Sequence, residues 1–225
     1  MTSLKKPFTR VPACTLASIC WATAFVLWNS AALGAEPALL SPTVVSIVKS
    51  ARYCSTGKPE WRALQIGDDL TTGAVLQTSS ETGSMVDIGL SSSKRVTAPT
   101  IRMFSNSVLK LLKLELKNSG STQVQEIGLE VTAGKARVII DGVSTCDFEF
   151  NAIVPMHLAI QRSKGSHEPT VFVFDAEGTV TVLKGEVKAT GSKPEKVLRR
   201  GEQLRNNADD ITKLPSDAPE LKLFP

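Results

Sequence analysis

The side chains with catalytic potential are few and scattered. Beyond residue 35 the chain carries two histidines, His157 and His167. A metal site needs His, Cys or carboxylate ligands clustered at motif spacing, and neither histidine has such neighbours, so no metal and no cofactor are expected. Asp68-Asp69 and Asp209-Asp210 are adjacent carboxylates. Neighbours on an extended chain point to opposite sides, so these make poor acid–base pairs and read as turn or solvated residues. Ser144, Ser163 and Ser166 lack the Gly-x-Ser-x-Gly setting of an activated nucleophile, and no glycine-rich phosphate loop is present. Trp61 is expected to pack in the core or against a hairpin rather than to serve as a sugar platform. The expected catalytic set is therefore empty, and the chain is not expected to be an enzyme.

Cysteine chemistry leaves two outcomes. Cys14 and Cys20 fall in the N-terminal leader, and Cys54 and Cys146 remain beyond it. In an oxidising compartment a Cys54–Cys146 disulfide would close a long loop, contributing roughly 2–4 kcal/mol. The other outcome is a pair of small buried thiols, because spacing alone does not bring two Cα atoms within bonding range.

Residues 1–35 explain the compartment. Lys5, Lys6 and Arg10 precede the uncharged run Ala13–Trp28, and the small-residue-rich Asn29–Ala35 follows, ending Ala-Ala-Leu-Gly-Ala before Glu36-Pro37. This is the plan of a secretory signal peptide, or of an uncleaved N-terminal anchor if cleavage fails; either way the remainder is exported. The whole chain of 225 residues has a net charge of +4. Subtracting the three leader cations from 26 leaves 23 basic against 22 acidic residues, a net of +1. No basic stripe with interleaved aromatics follows, so nucleic acid is not an expected partner.

The elements that position these residues are short strands. Thr43–Arg52 alternates with β-branched residues and reads as one strand; Met85–Leu90 alternates again, and Thr170–Phe174 is a buried strand. Ser105–Lys117 fits either a helix or a strand. With strands on both sides it is assigned as a strand, with a bulge near Leu111-Leu112 where the alternation slips by one. Asp141-Gly142 and Gly185 read as hairpin turns, the latter joining strands in Gly178–Leu204. A unit of the form apolar-x-x-Gly-x-x-apolar occurs at Leu64–Leu70 and Leu198–Leu204, and looser glycine-bearing versions of it are read at Thr132–Val138 and Leu183–Ala189, where glycine comes one residue earlier. Its turn residues are Gly67, Asp68, Gly134, Gly185 and Gly201. Turn signals every 8–12 residues and no long helix predict an all-β chain: a rolled or twisted antiparallel sheet, solenoid-like or a jelly-roll-like sandwich. The expected layout is a leader at 1–35, a β domain at 43–204, and a proline-bearing tail at 205–225 that drapes on the body or stays mobile.

These motifs come in an order. Trp61-x-x-Leu-x-x-Gly-Asp-x-Leu-x-x-Gly-x-x-Leu-x-Thr (61–78) is followed by Met85–Leu90, Ile101-Arg102-Met103 with Asn106-Ser107, and Leu129–Ala136. Phe148-x-Phe, Gly178–Val187 and Leu198-x-x-Gly-Glu complete it. In that order the chain resembles the exported domain of FecR-like proteins, over roughly Thr43–Leu204. The resemblance implies a fold of FecR type and a recognition role in signalling in the periplasm or cell envelope of a bacterium. FecR regulators also carry a cytoplasmic anti-sigma segment. Only about ten residues precede the apolar run here, too few for one, so direct sigma-factor control is not expected. The chain also departs from the family after Gln161-Arg162, where the polar insertion Ser163–Pro169 stretches a usually compact step.

The expected function is that of a non-catalytic module binding an envelope protein or surface polymer, through a strand edge or a flat face. Its candidate surfaces are the loop holding Ser163, Lys164, His167 and Glu168, the Asn118–Gln125 tip and the Ser91–Arg95 loop. The second reading is a small-ligand or glycan sensor lined by Trp61, Phe148 and Phe150. Membrane contact is expected only through an uncleaved leader.

Overall fold

Alternating apolar residues make the strands, and glycine-marked corners decide which sheet each strand joins. The computed structural model describes residues 38–91, 99–119, 122–141, 147–153, 157–162, 168–190, 195–205 and 211–222. These lie within one compact unit. The strands are β1 (Ala38–Leu39), β2 (Ser41–Val48), β3 (Ala51–Ser55), β4 (Lys58–Ala63), β5 (Val75–Thr78) and β6 (Met85–Ser91). Then come β7 (Thr100–Met103), β8 (Val108–Ser119), β9 (Thr122–Ala133), β10 (Lys135–Ile140), β11 (Asp147–Ile153) and β12 (His157–Arg162). The series ends with β13 (Thr170–Asp175), β14 (Val180–Lys184), β15 (Glu186–Thr190), β16 (Lys196–Arg199), β17 (Glu202–Leu204), β18 (Ile211–Lys213) and a single helical turn, α1 (Pro219–Lys222).

Among the described residues the strands form two open sheets. Sheet A has the order β16-β15-β12-β11-β9-β8-β5-β3-β4, with β1 pairing beyond β5 on β8; sheet B has the order β18-β17-β14-β13-β10-β7-β6-β2. Both orders follow the chain almost without exception, so the polypeptide advances along the sandwich as it passes between sheets. One core joins the two inner faces: Leu76, Leu109, Leu111, Ile127 and Leu129 from sheet A meet Ile88, Ile101, Val138, Phe172 and Val182 from sheet B. The all-β expectation holds, and the sandwich has a solenoid-like progression.

Not every pair is antiparallel. β11 runs parallel to β9. Between them the chain makes only β10 in sheet B, so it completes one full coil and returns in its former direction. Elsewhere, as from β5 to β8 or from β12 to β15, two strands intervene and the neighbours are antiparallel. The hairpins expected at Asp141-Gly142 and Gly185 do not form. β10 pairs with β7 and β13, whereas β11 pairs with β9 and β12. β14 and β15 belong to different sheets. Thr43–Arg52 is likewise two strands, because Lys49 adopts a left-handed conformation (φ 69°) and turns the chain from β2 in sheet B to β3 in sheet A.

The recurring glycine unit marks sheet changes at all four sites. Leu64 donates its N–H to Ala51 O in sheet A, and Leu70 donates to Pro42 O in sheet B. Thr132–Val138 runs from β9 to β10, Leu183–Ala189 from β14 to β15, and Leu198–Leu204 from β16 to β17. The first and last share a lock. Asp68 Oδ2 accepts the Gln65 N–H at 2.8 Å, and Glu202 Oε2 accepts the Arg199 N–H at 2.7 Å. Gly67 and Gly201 then donate to Val44 O and Val182 O, both in sheet B.

The ambiguous stretch is a strand with a bulge. The β8–β9 register shifts between Leu111 and Lys113. Leu109 and Leu111 point inward before the bulge, and Leu114 and Leu116 after it. Gly128 on β9 makes room, since a Cβ there would lie 2.9 Å from Lys113 Cβ. The outer face carries the charges that the slip sends outward. Lys113 Nζ sits 2.7 Å from Glu126, Lys117 also binds Glu126, and Lys110 pairs with Glu130 at 3.8 Å. Burial pushes the Glu126 carboxyl up, but the hydrogen bonds and charges of Lys113 and Lys117 together outweigh it and hold its pKa below the ordinary value of 4.5. The contribution is complete above that ordinary value and is lost as pH falls through the lower folded one. Glu126→Gln is therefore expected to destabilise at pH 7 by about 0.5–1 kcal/mol, the lysines being partly exposed. Thermal melts of the two proteins should converge as the pH is taken below the lowered folded-state pKa of Glu126. A difference that stays the same as the pH is lowered from 7 into the acid range would refute the assignment.

The tail drapes on the body where it is described. β18 extends sheet B, Leu214 donates to Gly201 O at 2.7 Å, and Ala218 is buried.

Candidate binding cleft

An open cleft of about 660 Å³ lies against the first rungs of sheet A, where the chain repeatedly changes sheets at one end of the sandwich. β3, β4 and β5 supply its face, and the corners at Ser79-Ser80 and Asn106 supply its wall. Register explains the grouping. Arg52 stands opposite both Ala63 on β4 and Gln77 on β5, and Trp61 lies two residues from Ala63 on the same face.

Arg52 is held from two sides. Its Nε and Nη2 donate to Gln77 Oε1 at 3.0 and 2.8 Å, and its guanidinium carbon lies 4.7 Å from the centroid of the Trp61 ring. This is cation–π geometry. Trp61 nonetheless remains 42% exposed. Of the two expected placements, the core is ruled out and the hairpin is found: Trp61 packs across the β3–β4 hairpin on Arg52, and because β4 is the edge strand of sheet A the ring keeps much of its surface open.

The wall is built on Thr78, which is 2% exposed. Its hydroxyl donates to Phe104 O at 2.6 Å and accepts the Ser107 N–H at 2.9 Å. Asn106 occupies the left-handed region (φ 56°) and donates its N–H to Ser79 O. Ser107 Oγ in turn bonds both the N–H and the carbonyl of Lys135 beyond the Gly134 corner. Three corners are thereby tied together beneath the cleft.

The charge of the site is one-sided. Among the described residues no carboxylate lines it, and Arg52 puts its charge on the Trp61 face; Arg62, next to Trp61 on β4 and opposite Tyr53, borders the cleft from the other side of the strand. The nearest acid in sequence to the wall, Glu81, is paired with Lys49 at 3.1 Å.

The other expected residues are dispersed. Asp68 and Asp69 serve structure: Asp68 caps its turn, and Asp69 Oδ1 accepts the Thr43 hydroxyl at 2.9 Å. Cys54 is a half-buried free thiol on β3. Cys146 lies outside the described residues, and β11, which follows it, is separated from β3 by β5, β8 and β9. Ser163, Lys164 and His167 lie outside the described residues, as do residues 92–98 and Asp209-Asp210, and Glu168 is exposed. His157, Phe148 and Phe150 sit on strands whose side chains lie outside the description. Among the described residues no group of three or more His, Cys, Asp and Glu is placed to hold a metal. Among them, too, no helix is long and apolar enough to cross a membrane. Sequence reasoning missed Arg52, Gln77 and Asn106. Arg52 and Gln77 are 25 residues apart, and only the β3–β5 register joins them.

No protein-family model matches the chain, and no curated protein matches it. Two crystal structures from Parabacteroides distasonis, each described as that of a "putative anti-sigma factor", are similar in part. The first, at 1.65 Å, has a TM-score of 0.40 and 14% identity, covering 64% of this chain and 61% of that one. The second, at 2.50 Å, has a TM-score of 0.37 and 13% identity, covering 61% and 63%. In both cases the match takes in less than two thirds of the crystal chain.

Proposed function

We propose that the chain is an exported, non-catalytic β module of FecR type that binds another component of the bacterial cell envelope through the Trp61 cleft. The observation that carries this reading is Trp61 itself, a large aromatic left open on an edge strand and held flat by an arginine that is in turn fixed by Gln77. Exposed aromatic and arginine side chains are the residues that dominate binding energy at contact surfaces. The ordered FecR-like motifs support the family reading, because their glycines fall at the corners that make the sandwich.

Contact is by the face rather than by strand addition. Pro59, as an imino acid, removes a backbone donor from β4, and Glu60 and Arg62 put charge along the same short strand. Both features discourage a further strand from pairing there. The opposite edge is blunted too: in sheet B, Thr43 on β2 already bridges to Asp69.

A photo-crosslinking residue at Ala63, beside Trp61, tests the reading in living cells. It is expected to capture an envelope component, seen as a discrete band or a polysaccharide smear, at least about tenfold above the same probe in a Trp61→Ala background, the usual loss for a central aromatic anchor. Equal capture by a probe at Thr100, on sheet B, would sink it.

A further inference from the structure

We infer that the occupant of the Trp61 cleft is a uronate unit within an acidic surface polysaccharide. The inference rests on the binding-module reading above and names the ligand class for the same site. Four features point to it. Trp61 is 42% exposed with Arg52 against its ring, which leaves aromatic surface on which the apolar C–H face of a pyranose can pack. Around it stand hydroxyl and amide groups, from Ser50, Gln77, Ser79, Ser80 and Asn106, rather than an apolar collar. A protein hot spot would be ringed by groups that exclude water, and a lipid would need apolar walls. Sugar hydroxyls instead need donors and acceptors at this density.

The third feature is charge. Arg52 stands on the Trp61 face of the cleft, and no carboxylate among the described residues lines it, so a neutral sugar would leave that cation without an anionic partner. Arg52 is already oriented. Its Nε and one Nη2 contact are committed to Gln77, which leaves the rest of its fork of donors for a planar carboxylate. The fourth is shape. The cleft is open, and its volume of about 660 Å³ suits one or two sugar units of a chain that continues past it at both ends. Among envelope polymers this favours uronates over muramic acid, whose carboxyl is consumed in the amide bond to its peptide stem.

Trp61 supplies the reporter, since it is the only tryptophan beyond residue 28. The full-length protein would be titrated with oligogalacturonate and oligomannuronate, with neutral dextran oligomers and sonicated peptidoglycan as comparison arms. Trp61→Phe would define the fluorescence contributed by Trp21 and Trp28. The expected result is a saturable change with a uronate oligomer that weakens as salt rises. Calorimetry should show affinity at least about tenfold lower in Trp61→Ala and Arg52→Gln (about 1.4 kcal/mol), with dextran and peptidoglycan inert. Arg52→Gln leaves Trp61 and the strand in place, so it guards against a variant that merely unfolds, and circular dichroism confirms both folds. If neither uronate binds better than dextran, the inference is overturned. The module reading then survives only if Trp61-dependent crosslinking at position 63 persists. Trp61-dependent binding of peptidoglycan alone would likewise overturn the uronate assignment while sparing the module, and loss of both signals would end both.

Discussion

Gly134→Ala is expected to be among the most damaging single substitutions in this protein. Gly134 has φ 68°, and a Cβ there would lie 2.6 Å from Asn106 O and 2.8 Å from Ser107 Cα. The left-handed conformation costs a non-glycine residue roughly 1–2 kcal/mol. Relieving contact with fixed backbone adds a similar amount, so a loss of about 3 kcal/mol follows. In a domain of this size that lowers the melting temperature by roughly 10 °C. Differential scanning calorimetry reads it directly, and a shift of only a degree or two would show that the corner can relax.

The second large effect is expected at Thr78. Thr78→Val keeps the shape of the side chain and removes the hydroxyl. The buried Ser107 N–H then loses its acceptor and Phe104 O loses its shortest donor. An unsatisfied buried group costs about 1–3 kcal/mol, so a fall of roughly 6 °C in melting temperature is expected. Thr78→Ser keeps the hydroxyl and should recover most of it. The two variants also differ at the cleft, because Asn106 and Ser79 hang on this residue. Hydrogen exchange at Asn106 should quicken in the valine variant and stay protected in the serine one. Equal behaviour of the two would place the effect in the lost or altered methyl packing instead.

The strands were legible because their burial is local and periodic. Met85–Leu90 alternates as its outer and inner faces require, with Val86, Ile88 and Leu90 buried. The slip at Leu111-Leu112 was visible as well, since a bulge shifts which leucines face the core. The glycine unit announced turns at Gly67, Gly134, Gly185 and Gly201, and each has positive φ. What it did not announce is the kind of turn. A left-handed residue serves a hairpin and a sheet change equally, and the choice depends on partners far along the chain. Hence Gly185 reads as a hairpin and is a crossing. Lys49 was harder still, because a lysine carries no turn signal and the alternating pattern runs on through it.

The cleft was less legible than the frame. Trp61 stands out by type, but its exposure depends on β4 having no outer neighbour among the described strands, a fact about the whole sheet. Arg52 and Gln77 look like ordinary surface residues of separate strands until their register makes them one site. The one-sided charge is equally non-local, since Glu81 lies beside Ser80 in sequence yet is taken up by Lys49.

In both sheets the strands stand nearly in the order in which the chain makes them. Each layer leans chiefly on the one before it and the one after. Held by its two ends and pulled, such a molecule meets the load one layer at a time. It would give way as a staircase of small ruptures, and the rungs carrying Trp61 would be among the first from the N-terminal side. Under load the domain would then yield by lengths, peeling and re-forming a rung without surrendering the rest.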